Sequence, residues 1–432
     1  MNLSDEKDIF LVICPAWGVQ MPPLGLAYLA TNLKKKGISL DVLDLNIGVY
    51  KRVDDSLKEF WKFENNKHWC DWDKDFKELF KEEIEYCVKR ILSFQNTKIY
   101  AFSVQATNRL FSIEVIKRIK EANPDKIIIV GGVGCFDDRE REQIFPLELV
   151  DFFIVGEGEV SLFELVDRLK KDISIENIPG VVYYKNKEKR FTLPQLIEPL
   201  DKLYFPTYEE FDLEDYTEKS LALTMSRGCI SICAFCNDWK MMGKYRTRTA
   251  EHMFKEIKYH VKKNKITNFY FNDLLINGNI KELEKLCDLI IKSKYNLTWI
   301  ALAIPLDSMN YNLLVKIKKA GCITLNYGVE SGSDRVLKII GKPISVNSVE
   351  KVLELTKKVG INTQINFIVG FPGETYEDFN KTLKFIRRNR TNICGITNIN
   401  ICNVVAGSEF SINPKKYGII FPSEQEPRDS HW

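Results

Sequence analysis

Ser226-Arg227-Gly228-Cys229-Ile230-Ser231-Ile232-Cys233-Ala234-Phe235-Cys236 is the stretch around which the rest of this chain falls into order. Thiolates spaced by four and three residues can converge from one short loop onto a single metal centre, and cysteine is the usual ligand of a cubane iron-sulfur cluster. Three such ligands leave one iron open to a small molecule. A structural zinc ion takes four protein ligands at recognisable spacing, yet the nearest following candidate, His252, lies sixteen residues beyond Cys236. Spacing therefore favours a cluster, with zinc or simple burial of small apolar thiols as the alternatives.

Working outward, the triplet follows a strand-like run, Leu221 to Met225. Further runs at Asn268 to Phe271, Thr298 to Ile304, Ile323 to Tyr327, Gln364 to Val369 and Ile396 to Cys402 are separated by helical spacing. Six strand-helix units predict a partial TIM-type (β/α)6 barrel, whose chemistry sits at the carboxyl ends of the strands. The first part of the chain also alternates. Runs at Ile9 to Pro15, Leu40 to Leu45, Lys98 to Val104, Lys126 to Val130 and Asp151 to Val155 predict a Rossmann-like parallel sheet. The division expected is an α/β chain with a Rossmann-like domain over 1–186, a proline-bearing linker over 187–218, the barrel over 219–405 and a short C-terminal extension over 406–432. Trp61, Trp69 and Trp72 lie between the second and third strands and read as packing between helices.

Bulk composition narrows the class. The 432 residues carry 62 basic and 59 acidic side chains, a net charge of +3, so nothing points to a nucleic-acid or anionic-membrane partner. The Lys34 to Lys36 and Lys262-Lys263 runs read as solvated helix ends. The charged start, Met1 to Asp8, is unlike a signal peptide, and no apolar run approaches the ~20 residues that span a bilayer. Eight of the eleven cysteines are scattered without a disulfide framework, and the expectation is a reducing, cytoplasmic location.

With Phe235 just before the last cysteine, the triplet resembles that of the radical S-adenosylmethionine (SAM) superfamily. The resemblance implies a [4Fe-4S] cluster on Cys229, Cys233 and Cys236, with SAM chelating the open iron. It also implies reductive cleavage of SAM to methionine and a 5′-deoxyadenosyl radical, fed by an external one-electron donor such as flavodoxin or ferredoxin. Phe235 would lie beside the adenine. Asp273 would accept from the methionine ammonium, or be a turn residue. Tyr327 to Ser333 is similar to the family's Gly-x-Glu-Ser-Gly stretch, making Glu330 and Ser331 expected SAM contacts. Ile368 to Thr375 matches the turn that shapes the adenine pocket, with Ile368 and Gly370 as contacts and Glu374-Thr375 equally a helix start.

The first domain has a resemblance of its own. Pro15-Ala16-Trp17, Pro22 to Ala30, Gly37, Asp44, Gly131-Gly132 and Gly156 to Glu159 look like the cobalamin-binding domain fused to one large class of these enzymes. Expected cobalamin contacts are Trp17, Ser103, Gln105, Thr107, Asn108, Gly131, Gly132, Gly156 and Glu157, against the alternative of a domain kept as scaffold. The Asp-x-His-x-x-Gly motif that supplies histidine to cobalt is absent, and His68 lies far from a strand-end turn. Where the family often has Arg-x-Asp after the third barrel strand, this chain reads Ala303-Ile304-Pro305-Leu306-Asp307, so Arg246 or Arg248 is the expected substitute cation. Many relatives carry a further helical domain over the substrate; the expectation for this chain is that such a cover is absent or supplied by a partner.

The function implied is a cobalamin-dependent C-methyltransferase spending two molecules of SAM, one to methylate cob(I)alamin and one to make the radical. Its substrate is a small molecule, lipid or peptide. A radical cyclase, oxidase or rearrangement enzyme is the alternative within the class, and a zinc-stabilised binding module the alternative outside it.

Overall fold

The computed structural model describes residues 6–421 and 430–431. The chain divides into two compact units. The first runs to Ile197 and takes back Lys202–Lys219; the second holds Glu198–Asp201 and the chain from Ser220 onward.

In the first unit, β1 (Ile9–Ile13), β2 (Leu40–Asp44), β3 (Ile99–Ser103), β4 (Ile127–Gly131) and β5 (Phe152–Ile154) form a parallel sheet in the order β2-β1-β3-β4-β5. Every residue of the Ile-Phe-Leu-Val-Ile run in β1 is buried, as expected of a strand covered by helices on both faces. Order reverses between β1 and β3, and in open parallel sheets ligands sit beyond the carboxyl ends at that switch point. The sheet is continued by an antiparallel hairpin, β6 (Val181–Lys185) and β7 (Glu188–Phe191), which the sequence pattern did not signal. Its tip, Asn186-Lys187, has positive φ at both residues without glycine, and β7 is largely exposed, so neither turn chemistry nor apolar alternation marks it.

Helices between β2 and β3 carry the tryptophans inward. Trp69 is fully buried, 5.0 Å from the Trp61 ring and 4.8 Å from Phe80, and its indole N–H donates to Phe60 O at 2.7 Å. The packing expectation for this region is met.

In the second unit, β8 (Leu221–Leu223), β9 (Asn268–Phe271), β10 (Thr298–Ala303), β11 (Cys322–Glu330), β12 (Asn362–Val369) and β13 (Gly395–Ile401) are parallel and lie side by side in sequence order. This is the six-stranded partial barrel. Alternation fixes the two faces. Trp299, Tyr327, Ile365 and Phe367 are buried on the outside, where Tyr327 Oη meets Thr356 Oγ1 on the helix Val346–Lys358. Residues next to those along each strand, such as Ile300, Asn326 and Asn366, therefore face the lumen. Among the described residues, no helix is long and apolar enough to cross a membrane.

Candidate functional site

The cysteine loop leaves β8 through a two-residue antiparallel pairing, Ser226-Arg227 with Arg246-Thr247. Gly228 makes the turn: its φ is +81°, and a Cβ there would stand 2.6 Å from Gly243 O, so only glycine fits. The loop is then pinned at its centre. Ala234 N donates to Ile340 O at 2.9 Å, Phe410 N donates to Ala234 O at 3.0 Å, and Cys236 N donates to Cys233 O at 3.1 Å. Cys233 is buried, while Cys229 and Cys236 are partly exposed.

Burial pushes the Cys233 thiol up to about 11 and the Cys236 thiol up to about 12. Cys229 and Cys236 each lie within electrostatic reach of Cys233, and so does the ammonium of Lys342, which favours the thiolate. Among the described residues no three His, Cys, Asp or Glu side chains are gathered tightly on a single ion. Three thiols on one loop facing a buried cation suit a larger group of net negative charge, which is the chemistry of a thiolate-bound iron-sulfur cluster.

Lys342 is the residue the sequence reading missed. Its Nζ is 2.8 Å from Glu330 Oε1, with side-chain exposures of 7% and 10%. Burial opposes the charge on Lys342 most strongly, but the Glu330 carboxylate together with Cys233 and Cys229 outweighs it, and the ammonium is held above its ordinary value. Glu330 reaches it because β11 slips register against β12 between Gly328 and Glu330, leaving Glu330 at φ +71°. Lys342 itself follows a short helix in a lysine-rich segment, where nothing local separates it from a solvated side chain.

Other expected contacts divide. Phe235 packs against Phe371, with tilted rings 5.6 Å apart, and shares an apolar cluster with Ile368, at the turn holding Gly370. These residues are brought together. Asp273 is corrected: it is 2% exposed, and its carboxylate accepts from Met225 N at 3.1 Å and from Ser226 N and Oγ at 2.5 Å. It clamps the segment entering the cysteine loop instead of meeting an ammonium. Ser331 is corrected as well, being 1% exposed with its hydroxyl against Thr382 Oγ1 and Ser333 N. Glu374 accepts from Gly370 N and Phe371 N and so holds the turn, while Thr375 caps the helix Tyr376–Asn389 with Asp378.

The expectation for Arg246 and Arg248 also fails. Arg246 donates to Lys244 O and Met242 O. Arg248 is 3% exposed, donating to Glu256, Thr224 O and His252 Nδ1. Both guanidiniums are absorbed by buried acceptors, and the cation beside the cysteines is Lys342.

At the switch point of the first unit, the β1 and β3 turns are tied together. Thr107 Oγ1 donates to Ala16 O at 2.7 Å, and Gln105 Nε2 donates to Thr107 Oγ1 at 2.9 Å. A carbonyl only accepts, so the threonine hydroxyl must point at Ala16 and the Gln105 amide must present its nitrogen to Thr107. Trp17 N donates to Asn46 Oδ1, which also takes the Trp61 indole. Ser103, Gln105, Thr107 and Trp17 are partly exposed here, beside Gly131 and the exposed Gly132. Gly132 has φ +102° and no room for a Cβ, which would lie 2.5 Å from Val104 O. Exposed Gly156 follows β5. Two expected contacts are corrected. Asn108 is fully buried, bonded to Gln105 N and Ser103 O, and the Glu157 carboxylate accepts from Ile197 N at 2.6 Å. Both hold loops. The remaining residues offer the open, glycine-bordered surface that a broad planar cofactor needs.

Residues 223–386 match the family profile of the Radical SAM superfamily. The chain is 26% identical over 376 residues to an uncharacterized methyltransferase of Pyrococcus horikoshii, covering 86% of this chain and 74% of that one. It is 28% identical over 280 residues to the anaerobic magnesium-protoporphyrin IX monomethyl ester cyclase of Rubrivivax gelatinosus, covering 62% of this chain but only 50% of that one. The cobalamin-dependent SAM radical enzyme OxsB superposes with a TM-score of 0.77 at 18% identity, over 98% of this chain and 63% of its own. The radical SAM methyltransferase TsrM from Kitasatospora setae gives 0.74 at 17% identity, over 95% of this chain and 77% of its own. The fold of both units is thus shared with those enzymes.

Proposed function

We propose that this chain is a radical SAM enzyme that cleaves SAM reductively at a [4Fe-4S] cluster on Cys229, Cys233 and Cys236 and transfers methyl from cobalamin to an unactivated carbon. The observation that carries this is the pinned three-cysteine loop facing the Lys342–Glu330 pair at the carboxyl end of the barrel. When bound, the cluster with SAM would supply a carbon-centred radical and the corrinoid a methyl group. The chain's own side chains bind and orient. Three thiolates hold the cluster, and Lys342 and Glu330 offer paired charges to the zwitterionic end of SAM. Phe235, Phe371 and Ile368 offer an apolar face to its adenine. In the first unit, Trp17, Gln105, Thr107, Gly131, Gly132 and Gly156 border the corrinoid surface, with no histidine for cobalt. Electrons come from an external reductant of the flavodoxin or ferredoxin kind, and the protein's task is chiefly to position and shield reactive groups.

The test is anaerobic reconstitution with iron, sulfide and cobalamin, followed by turnover with SAM and a reductant. Methylated product with S-adenosylhomocysteine is the expected outcome. A second reading, radical ring formation without methyl transfer, is favoured by the likeness to the protoporphyrin ester cyclase. Formation of 5′-deoxyadenosine with neither methylated product nor S-adenosylhomocysteine would select it, and a colourless, iron-free protein would sink both.

A further inference from the structure

The lumen of the barrel has two unlike walls. On β9 and β10 the inward residues include Tyr270, Ile300 and Leu302, two of them aliphatic. On β11, β12 and β13 the inward positions include, beside Gly328 and Ile368, the carboxamides Asn326, Gln364, Asn366, Asn398 and Asn400, set next to one another by the pairings Asn326 with Gln364, Asn366 with Asn398 and Ile368 with Asn400. A parallel strand buried on both faces normally reads as a continuous apolar run. Asn326, Gln364 and Asn366 on β11 and β12 break that rule together, and Asn398 and Asn400 extend the row onto the largely exposed edge strand β13.

These carboxamides are idle. Asn326, Asn366, Asn398 and Asn400 make no side-chain hydrogen bond among the described residues, and Gln364 has only a long one from Thr397 at 3.4 Å. Asn326 Oδ1 and Asn366 Oδ1 are buried with no partner at all. A buried acceptor left without a donor is destabilising, so two in one wall need a reason. Their amide nitrogens are not among the closed-off atoms, and a half-turn about χ2 exchanges the two ends. Each can therefore meet a donor or an acceptor.

Their place is defined by Gly328, which faces the lumen two residues after Asn326 and pairs in register with Asn366. A Cβ on Gly328 would stand 2.7 Å from Glu330 Oε1 and 3.0 Å from Lys342 Nζ. Asn366 thus flanks the ion pair beside the cysteines, and Asn326 lies one inward step, about 7 Å, below it. Among the wall positions named there is no charge.

We propose that this carboxamide wall is the substrate subsite, and that it selects an uncharged small molecule bearing at least two N–H or O–H donors, with an apolar side turned to Ile300 and Leu302. This rests on reading the barrel as catalytic. It excludes carboxylates and phosphates, which would enter a lumen whose nearest cation is already paired, and simple lipids, which would leave the carboxamides unmade.

The test uses the full chain and ligand-observed saturation-transfer NMR with three probes, piperazine-2,5-dione, myo-inositol and benzoate, on wild type and on the Asn326→Leu/Asn366→Leu double variant. The expected result is signal from the neutral lactam and polyol in wild type, reduced at least about fivefold in the variant, with benzoate weak in both. Leucine is close in size and fills the wall, so the thermal midpoint should stay level or rise. Signals that persist in the variant, preferential binding of benzoate, or a clear fall in the midpoint would each overturn the subsite. If the double variant does not fold, Asn366→Ser provides the same comparison. Iron content after reconstitution is measured separately, so failure of the cluster reading and failure of the subsite are told apart.

Discussion

Lys342 Nζ sits 2.8 Å from Glu330 Oε1 over Gly328, nine-tenths or more withdrawn from water on both sides. Removing one partner of such a pair strands a buried charge, at a cost of about 3–5 kcal/mol. Lys342→Met should lower stability by that order in denaturant unfolding and reduce 5′-deoxyadenosine formation at least about a hundredfold. Lys342→Arg should recover part of both. A methionine variant that cleaves SAM normally would remove this pair from the site.

Iron analysis provides the next check. Cys229→Ala, Cys233→Ala and Cys236→Ala should each drop reconstituted iron from about four per chain toward zero, with loss of the visible absorption of a cubane cluster. Wild type holding stoichiometric zinc and no iron, with the zinc lost in each variant, would restore the zinc alternative.

Asp273 gives a pH dependence with a definite sign. Burial pushes its carboxyl up to about 6, against an ordinary 3.8, although its bonds from Ser226 and Met225 pull the other way. The folded state therefore keeps this proton to higher pH than the unfolded chain does. Its contribution to stability is fully present below the ordinary carboxylate range and is lost as pH rises through about 6, by roughly 3 kcal/mol. Unfolding curves of wild type and Asp273→Asn across this window should show wild type's advantage shrinking as pH increases. A gap that is the same at every pH would contradict the assignment.

Gly132→Ala probes the first unit alone. The added Cβ would strike Val104 O, and φ +102° is hostile to any L side chain, so a loss of about 2–4 kcal/mol is expected. Corrinoid retained after gel filtration should fall with it. Unchanged retention would argue that the β3–β4 mouth does not hold the cofactor.

Much of this protein was readable from the chain. All six barrel strands and the five parallel strands of the first unit lie where apolar runs and turn residues put them, because strand formation answers to local pattern. The cysteine spacing is local too, since three ligands within eight residues need only one loop to converge. The hairpin Val181–Phe191 was not readable, because its exposed second strand carries no alternation. Asp273, Ser331, Asn108 and Glu157 stood at expected strand ends, but a polar side chain at a strand end can turn outward to a ligand or inward to a backbone N–H. Only the packed neighbours decide which, and all four turned inward. Lys342 and the carboxamide wall show the converse. Lys342 looked like a surface lysine and Asn326 like an interruption in an apolar run, until strand register and a bulge placed Lys342 against Glu330 and Asn326 one step below them. Sequence alone determined the order of the motifs along the strands and the spacing of the three cysteines proposed as cluster ligands, which are short-range properties. Tertiary structure decided which polar groups are spent holding the fold and which remain for a substrate, because burial and hydrogen-bond satisfaction are properties of residues far apart in the chain.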